Sequence, residues 1–270
     1  MPETFLILLA GGIILAAAVS SPAQVTLNWL RLCGILALVM AALSLFFYFT
    51  RDAHPAQLSP RMRNIQVGLL IASVILILGQ LAFVQVAWRR TQRAFAAAAF
   101  VLAVMAGVNV LHGLMAADGL AARFPPKWFS VSLQAWSCAG AAAMTGLALM
   151  DMLLGHAYLT ASKMTMAPFR RLTVALAAAV GLRVVVAIAG VLALNRWRPL
   201  EMFWGIHGLY VLTRWLVGLG VPAVFVYMTY DCIRRRHTQA ATGILYVAGV
   251  LVFIGEIVAL YLVRETGLPF

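Results

Sequence analysis

Acidic side chains are scarce in this chain. Eight Asp and Glu stand against twenty Lys and Arg in 270 residues, and charged residues of both signs make up only 10% of the total. Soluble domains carry about a quarter of their residues as charges, so a water-facing surface of ordinary extent is excluded. Cysteine is rarer still. Cys33, Cys138 and Cys232 are odd in number, lie in or beside apolar runs, and form no C-x-x-C or Cys/His spacing. A disulfide framework, a zinc site and an iron–sulfur cluster are therefore left without ligands. No flavin motif, no G-x-S-x-G, no H-E-x-x-H and no paired carboxylates at one depth are found, which argues against a membrane hydrolase. Linkers and low-complexity tracts are also missing, so residues 1–270 read as a single transmembrane domain.

What fills the chain is apolar: 64% of its residues are hydrophobic. A helix needs about 20 apolar residues to cross about 30 Å of hydrocarbon. Runs of that kind recur at 4–20, 33–50, 66–88, 94–117, 130–158, 172–195, 203–229 and 241–263. They predict an all-α fold, a polytopic integral membrane helical bundle with about eight transmembrane helices, because backbone polar groups in lipid must be satisfied within each segment. The first run, "TFLILLAGGIILAAAVSSPAQ", has no Lys or Arg before it. It lacks the basic start of a secretory signal and reads as a retained span.

The formal charge of +12 invites a nucleic-acid partner, but the basic residues are dispersed among helix ends. Membrane-flanking arginine explains them, and no nucleic acid is expected. Three turns carry basic groups: Arg89, Arg90 and Arg93; Lys163, Arg170 and Arg171; Arg234, Arg235 and Arg236. With eight spans these fall on one side together with Arg31, and the positive-inside rule makes that side cytoplasmic. Both termini are then expected outside, on the periplasmic face of a bacterial inner membrane. The longest turns, "RDAHPAQLSPRMRN" and "ADGLAARFPPKW", fall on the outer side and are expected to form a lid or a docking surface. An echo between "GQLAFVQVAWRRTQRAFAAAAFV" and "GHAYLTASKMTMAPFRRLTVALAAAV" raises an internal duplication.

Ionisable residues divide unevenly. The first four spans hold only His112, whereas the last four hold Asp151, His156, Arg183, His207, Arg214 and Glu256. A charge at the centre of a spanning helix costs about 2.5–3.5 kcal/mol on insertion scales, so each needs a partner or a wet pocket. Arg214 and Glu256 fall at nearly equal depth in neighbouring spans, which predicts an ion pair. His207, Tyr210 and Arg214 recur at spacings of three and four and form one stripe on the seventh span. Thr242, Gly249 and Glu256 recur every seven residues on the eighth. Asp151 is expected to partner Arg183 or to carry protons; His156, about 140° around the same helix, reads as interfacial. His112 and His207, near the outer ends of the fourth and seventh spans, form a candidate axial pair for haem b. Pro222, preceded by Gly218 and Gly220, should kink the seventh span and loosen its hydrogen bonding.

These residues point to a quinone. Quinone chemistry needs an apolar slot for the tail, hydrogen-bond donors for the ring carbonyls, and protonatable groups. His207, Tyr210, Arg214 and Arg183 are the expected quinone-binding set, with Glu256 and Asp151 transferring protons. The chain is thus expected to be a subunit of a respiratory electron-transfer complex, among lipids and other subunits, with a redox subunit docked on the outer side. The Gly-Glu dipeptide of "VFIGEIVALYL" resembles one in quinol-linked anchor subunits of molybdoenzyme complexes, although two residues transfer no site. Two further readings use the same residues: a transporter or proton conductor, and a structural anchor or assembly subunit whose charges only fix helix register.

Overall fold

The computed structural model describes residues 2–20, 25–50, 59–86, 88–117, 127–160, 165–197, 200–267 and 269. Lys163, and most of both Pro-bearing turns with the docking role expected of them, lie outside these residues. The described chain is all helical, with eight spans long and apolar enough to cross a membrane. They are α1 (Pro2–Val19), α2 (Leu27–Thr50), α3 (Pro60–Gln85), α4 (Arg89–Ala117), α5 (Lys127–Thr160) and α6 (Ala167–Trp197), followed by the composite seventh span and α9 (Thr238–Thr266). The seventh span runs as α7 (Leu200–Trp215), a π-helical turn (Leu216–Gly220) and α8 (Val221–Arg234). Most helices outrun the apolar runs that announce them, because backbone hydrogen bonding continues into the polar edge of the membrane.

Local chemistry sets several ends. Ser59 caps α3, its Oγ accepting from Met62 N, and Pro60 occupies the first turn where a missing N–H is harmless. Gly267 ends α9 in the left-handed region at φ 77°, where its N–H reaches Val263 O. Pro222 cannot donate to the carbonyl four residues back, and the π turn immediately before it accommodates the loss without breaking the span. The expected kink is thus a widened turn.

The helices form two four-membered rings. In the first, α1 packs on α2, α2 on α3, α3 on α4 and α4 back on α1; in the second, α5, α6, α8 and α9 close the same circuit. The rings meet chiefly through α1 and α5, the two most buried spans. There Gly12 and Gly146 bring the backbones together: a Cβ on Gly12 would run into the Ala142 carbonyl, and one on Gly146 into the Gly12 backbone. Ala142 and Gly146, like Ala99 and Ala103, follow the small-x-x-x-small spacing that lets membrane helices approach without a solvent-driven hydrophobic force.

Burial repeats between the rings position by position. On α1 and α5, Glu3, Thr4, Gly12 and Ala17 correspond to Ser137, Cys138, Gly146 and Asp151, all buried. On α2 and α6, the buried Leu30, Cys33, Ala37 and Ser44 correspond to Phe169, Leu172, Leu176 and Arg183. Gln66 and Leu70 of α3 correspond to Arg214 and Gly218; after the π turn the register slips by one, so Ile77, Gln80 and Val84 correspond to Val226, Thr229 and Ile233. The π turn is therefore a one-residue insertion in the second ring. Helices α4 and α9, each 29 residues long, match throughout, with Ala103, Ala106 and Gly107 opposite Val252, Gly255 and Glu256. The α3/α4 turn also matches the α8/α9 turn, through Trp88 N to Phe83 O (3.2 Å) and His237 N to Cys232 O (2.9 Å). A repeat is present, but its register is not the one the sequence echo proposed. That echo set α3/α4 against α5/α6, drawn there by alanine-rich composition.

Candidate functional site

Three buried ions meet in the second ring. Arg183 of α6 grips Glu256 of α9 in a fork: Nε donates to Oε1 at 2.9 Å and Nη2 to Oε2 at 2.7 Å. Arg214 of α7 donates through Nη2 to Glu256 Oε1 at 3.1 Å. The side chains are 1%, 0% and 1% exposed, so water screens none of them. Arg183 also donates from Nη1 to Ser137 Oγ at 2.8 Å and, at the edge of range, to Ser137 O at 3.4 Å. Four helical segments are thereby tied at one point. Bidentate geometry with both partners desolvated is the strong form of the interaction, and two guanidiniums against one carboxylate leave a formal charge of +1 on the trio.

Backbone shape makes the convergence possible. Gly218 in the π turn and Gly255 on α9 lie back to back, and a Cβ on either would overlap the other's backbone while crowding Arg214 Nη1 at 3.2–3.3 Å. Gly140 on α5 gives the Arg183 stem its passage, since a Cβ there would fall 2.6 Å from Cδ. The expected Arg214 to Glu256 pair is present. Arg183, however, pairs with Glu256 rather than with Asp151. Of the Thr242, Gly249, Glu256 face, Thr242 lies against Gly155 of α5, where a Cβ would fall 2.7 Å from its Oγ1, Glu256 adjoins the Gly255 contact, and nothing lies within 4 Å of a Cβ on Gly249.

Asp151 instead faces Thr173 of α6, whose Oγ1 lies 2.7 Å from Oδ2 and 3.1 Å from Phe169 O. The hydroxyl has one hydrogen and two acceptors in reach. Thr173 Oγ1 donates to Asp151 Oδ2 at the shorter distance, with Phe169 O as the alternative acceptor for the same hydrogen. Among the described residues, Asp151 Oδ1 has no hydrogen-bond partner. His156 is exposed near the end of α5, apart from this pair.

The expected His207, Tyr210, Arg214 stripe divides. Arg214 turns into the core, while Tyr210 is 42% exposed and packs on Tyr261 of α9 with ring centroids 4.8 Å apart. His207 meets the same Tyr261 edge-on at 6.4 Å. Tyr261 lines a cavity of about 440 Å³ between α1 and α9 together with Pro2, Phe5, Ile257, Leu260 and Arg264. Pro2 and Arg264 in one cavity wall place both chain ends on the same side of the molecule. The trio lines none of the three described cavities. His112 sits on α4, which packs on α3, α1, α5 and α9, whereas α7 packs on α9 and the π turn. Neither His112 nor His207 lines a described cavity.

Sequence reasoning passed over Ser137, Thr173 and Tyr261. A signal existed for the first: Ser130, Gln134 and Ser137 recur at spacings of four and three on α5 and are all buried. It also placed Glu3 outside the first span, yet Glu3 is inside α1 and 2% exposed. Comparison of the chain with protein-family models, curated proteins and solved structures finds no match in any of the three.

Proposed function

We propose that this integral membrane protein is a quinone-interacting subunit of an electron-transfer complex, with its head-group site at Tyr261 and Arg264, backed by Tyr210 and His207. The single observation that carries this reading is the α1/α9 cavity, apolar along Phe5, Ile257 and Leu260 and polar at Tyr261 and Arg264. An isoprenoid tail fits the apolar seam, and the Tyr261 phenol and the Arg264 guanidinium in its wall supply donors for ring carbonyls, with Tyr210 and His207 packed against the Tyr261 ring. Glu256 lies five residues before Tyr261 on α9, about a turn and a half, and is tied to Arg183 and Arg214, so the trio sets the local field rather than touching the ring. Reduction takes up two protons and two electrons. Protons would pass through the tyrosines and His207, with Asp151 as a second carrier deeper in the ring, and electrons would come from a partner subunit docked at the face bearing the termini. The positive-inside rule makes the opposite, basic face cytoplasmic.

The test is equilibrium binding of a short-chain quinone analogue to the purified protein, followed by tryptophan quenching. Tyr261→Phe and Arg264→Gln should each weaken binding, by roughly 2- to 12-fold per lost hydrogen bond. Undiminished affinity in both variants overturns the assignment. The π turn beside the trio and the Asp151–Thr173 pair favour one second reading, proton or solute conduction. Flux in vesicles reconstituted without a redox partner, lost in Asp151→Asn, would support conduction over the quinone role.

A further inference from the structure

A second cavity lies on the other side of the second ring, and it has a structure of its own. Helices α6 and α8 diverge to leave a slot of about 460 Å³ lined by Val174, Ala177, Gly181, Ala223 and Tyr227, with Thr173 and Tyr230 at one end. Tyr230 also belongs to the next cavity, about 300 Å³, lined by Arg170, Arg234 and Arg236 with Ala167 and Ile233. Arg170 stands in the first turn of α6 and Arg234 in the last turn of α8, so the basic cavity opens at the end of the helices. The slot continues from it into the membrane-spanning part.

We infer that this seam binds one anionic phospholipid, its phosphate among Arg170, Arg234 and Arg236 and one acyl chain in the slot below.

Dimensions fit first. From Thr173 to Val184 the slot runs about 16 Å at 1.5 Å per residue, close to the roughly 15 Å of hydrocarbon in one leaflet. Charge selects the headgroup. Asp231 engages Arg234 at 3.2 Å and Arg235 at 2.8 Å, while among the described residues neither Arg170 nor Arg236 is in an ion pair. The cavity mouth therefore presents surplus positive charge at the depth of lipid phosphates. Backbone strain marks the same spot. Arg236 closes α8 in a left-handed turn at φ 62°, with Arg236 N to Ile233 O and His237 N to Cys232 O bonds. Glycine is the favoured residue in that place; a guanidinium is held there against the backbone preference.

The first ring shows what the seam looks like without this purpose. Ala177, Ala223 and Tyr227 correspond to Leu38, Val74 and Leu78, and Thr173 to Gly34, against which the Leu81 side chain presses so closely that a Cβ would overlap it. At two of these positions, Ala177 and Ala223, the second ring carries a methyl where the first carries the branched Leu38 and Val74. Arg170 corresponds to Arg31, but Arg234 corresponds to Gln85, so the basic mouth is also particular to the second ring.

The experiment uses the full chain in a neutral detergent and reads thermal stabilisation and native-mass-spectrometric lipid retention. The added probes are phosphatidylglycerol, phosphatidylcholine and inorganic phosphate. Phosphatidylglycerol should stabilise at lower concentration than phosphatidylcholine, with one lipid retained, and phosphate alone should not reproduce the shift. Arg170→Gln with Arg236→Gly should weaken phosphatidylglycerol binding about 25-fold, at roughly fivefold per guanidinium. Arg236→Gly alone should equal or exceed the wild type in lipid-free stability, so a lost lipid response cannot be blamed on misfolding. Ala177→Leu, copying the first ring, should also abolish retention. Equal responses to the two lipids, an equal shift from phosphate alone, or unaltered retention in Ala177→Leu would each overturn the inference. The quinone reading concerns the α1/α9 cavity and is untouched by any of these results.

Discussion

Where α2 turns Ser44 toward the centre of the first ring, α6 turns Arg183 toward the centre of the second, and both reach a corresponding carbonyl. Ser44 Oγ donates to Glu3 O at 2.7 Å and Arg183 Nη1 to Ser137 O at 3.4 Å. Where α3 places Gln66, accepting from Asn109 at 3.0 Å, α7 places Arg214. Gly107 stands where Glu256 does, and Ala17 where Asp151 does. One packing plan thus carries the neutral hydrogen bonds of Ser44 and Gln66 in one ring, which also buries Glu3, and a charged trio with the buried Asp151 in the other. The scaffold tolerates either, because helix approach is governed by small residues on α1, α4 and α5.

That contrast can be broken at several strengths. Gly12→Leu should do the most, since its side chain would occupy the Ala142 carbonyl; the expected result is loss of monodisperse protein on size exclusion. Glu256→Gln should come next, leaving two guanidiniums facing each other, with about 3–5 kcal/mol lost in reversible unfolding from mixed micelles. Arg183→Met should cost about 3 kcal/mol, as the fork and the Ser137 bonds go together. Arg214→Met should cost only about 1.5 kcal/mol, because a neutral Arg183–Glu256 pair remains. If the Arg214 variant proves worse than the Arg183 variant, the description of the fork as the principal bond is wrong. The matching change in the first ring, Gln66→Met, removes one interhelical hydrogen bond and should cost about 0.6 kcal/mol. Ser44→Ala should be comparable or smaller. Equal losses at Gln66 and Arg214 would erase the distinction between the rings.

Much of the plan was legible from residues alone. Apolar run lengths gave eight spans, Pro222 with Gly218 and Gly220 marked where the seventh span departs from regular helix, though as a kink and not as the π turn found there, and equal depth in neighbouring spans paired Arg214 with Glu256. Asp151 was harder. Its choice of Thr173 over Arg183 depends on how α6 is rotated against α5, and a span that is apolar nearly all round carries little periodicity from which to read rotation. Tyr210 misled for the same reason: a spacing of four places it near the face of Arg214, but the packing of α9 leaves it outward beside Tyr261. The repeat was hidden because corresponding positions share burial rather than identity, as Gln66 with Arg214 and Gly107 with Glu256 show.

Sequence alone determined the solvent, the helix count and the half of the chain that holds the charges, since each follows from hydrophobicity summed along one segment at a time. Tertiary structure decided which arginine forks the glutamate, which acid meets a hydroxyl, and which seam stays open. Those outcomes depend on azimuth and separation between helices distant in the chain, and a methyl group more or less at Gly12, Gly218 or Gly255 changes both.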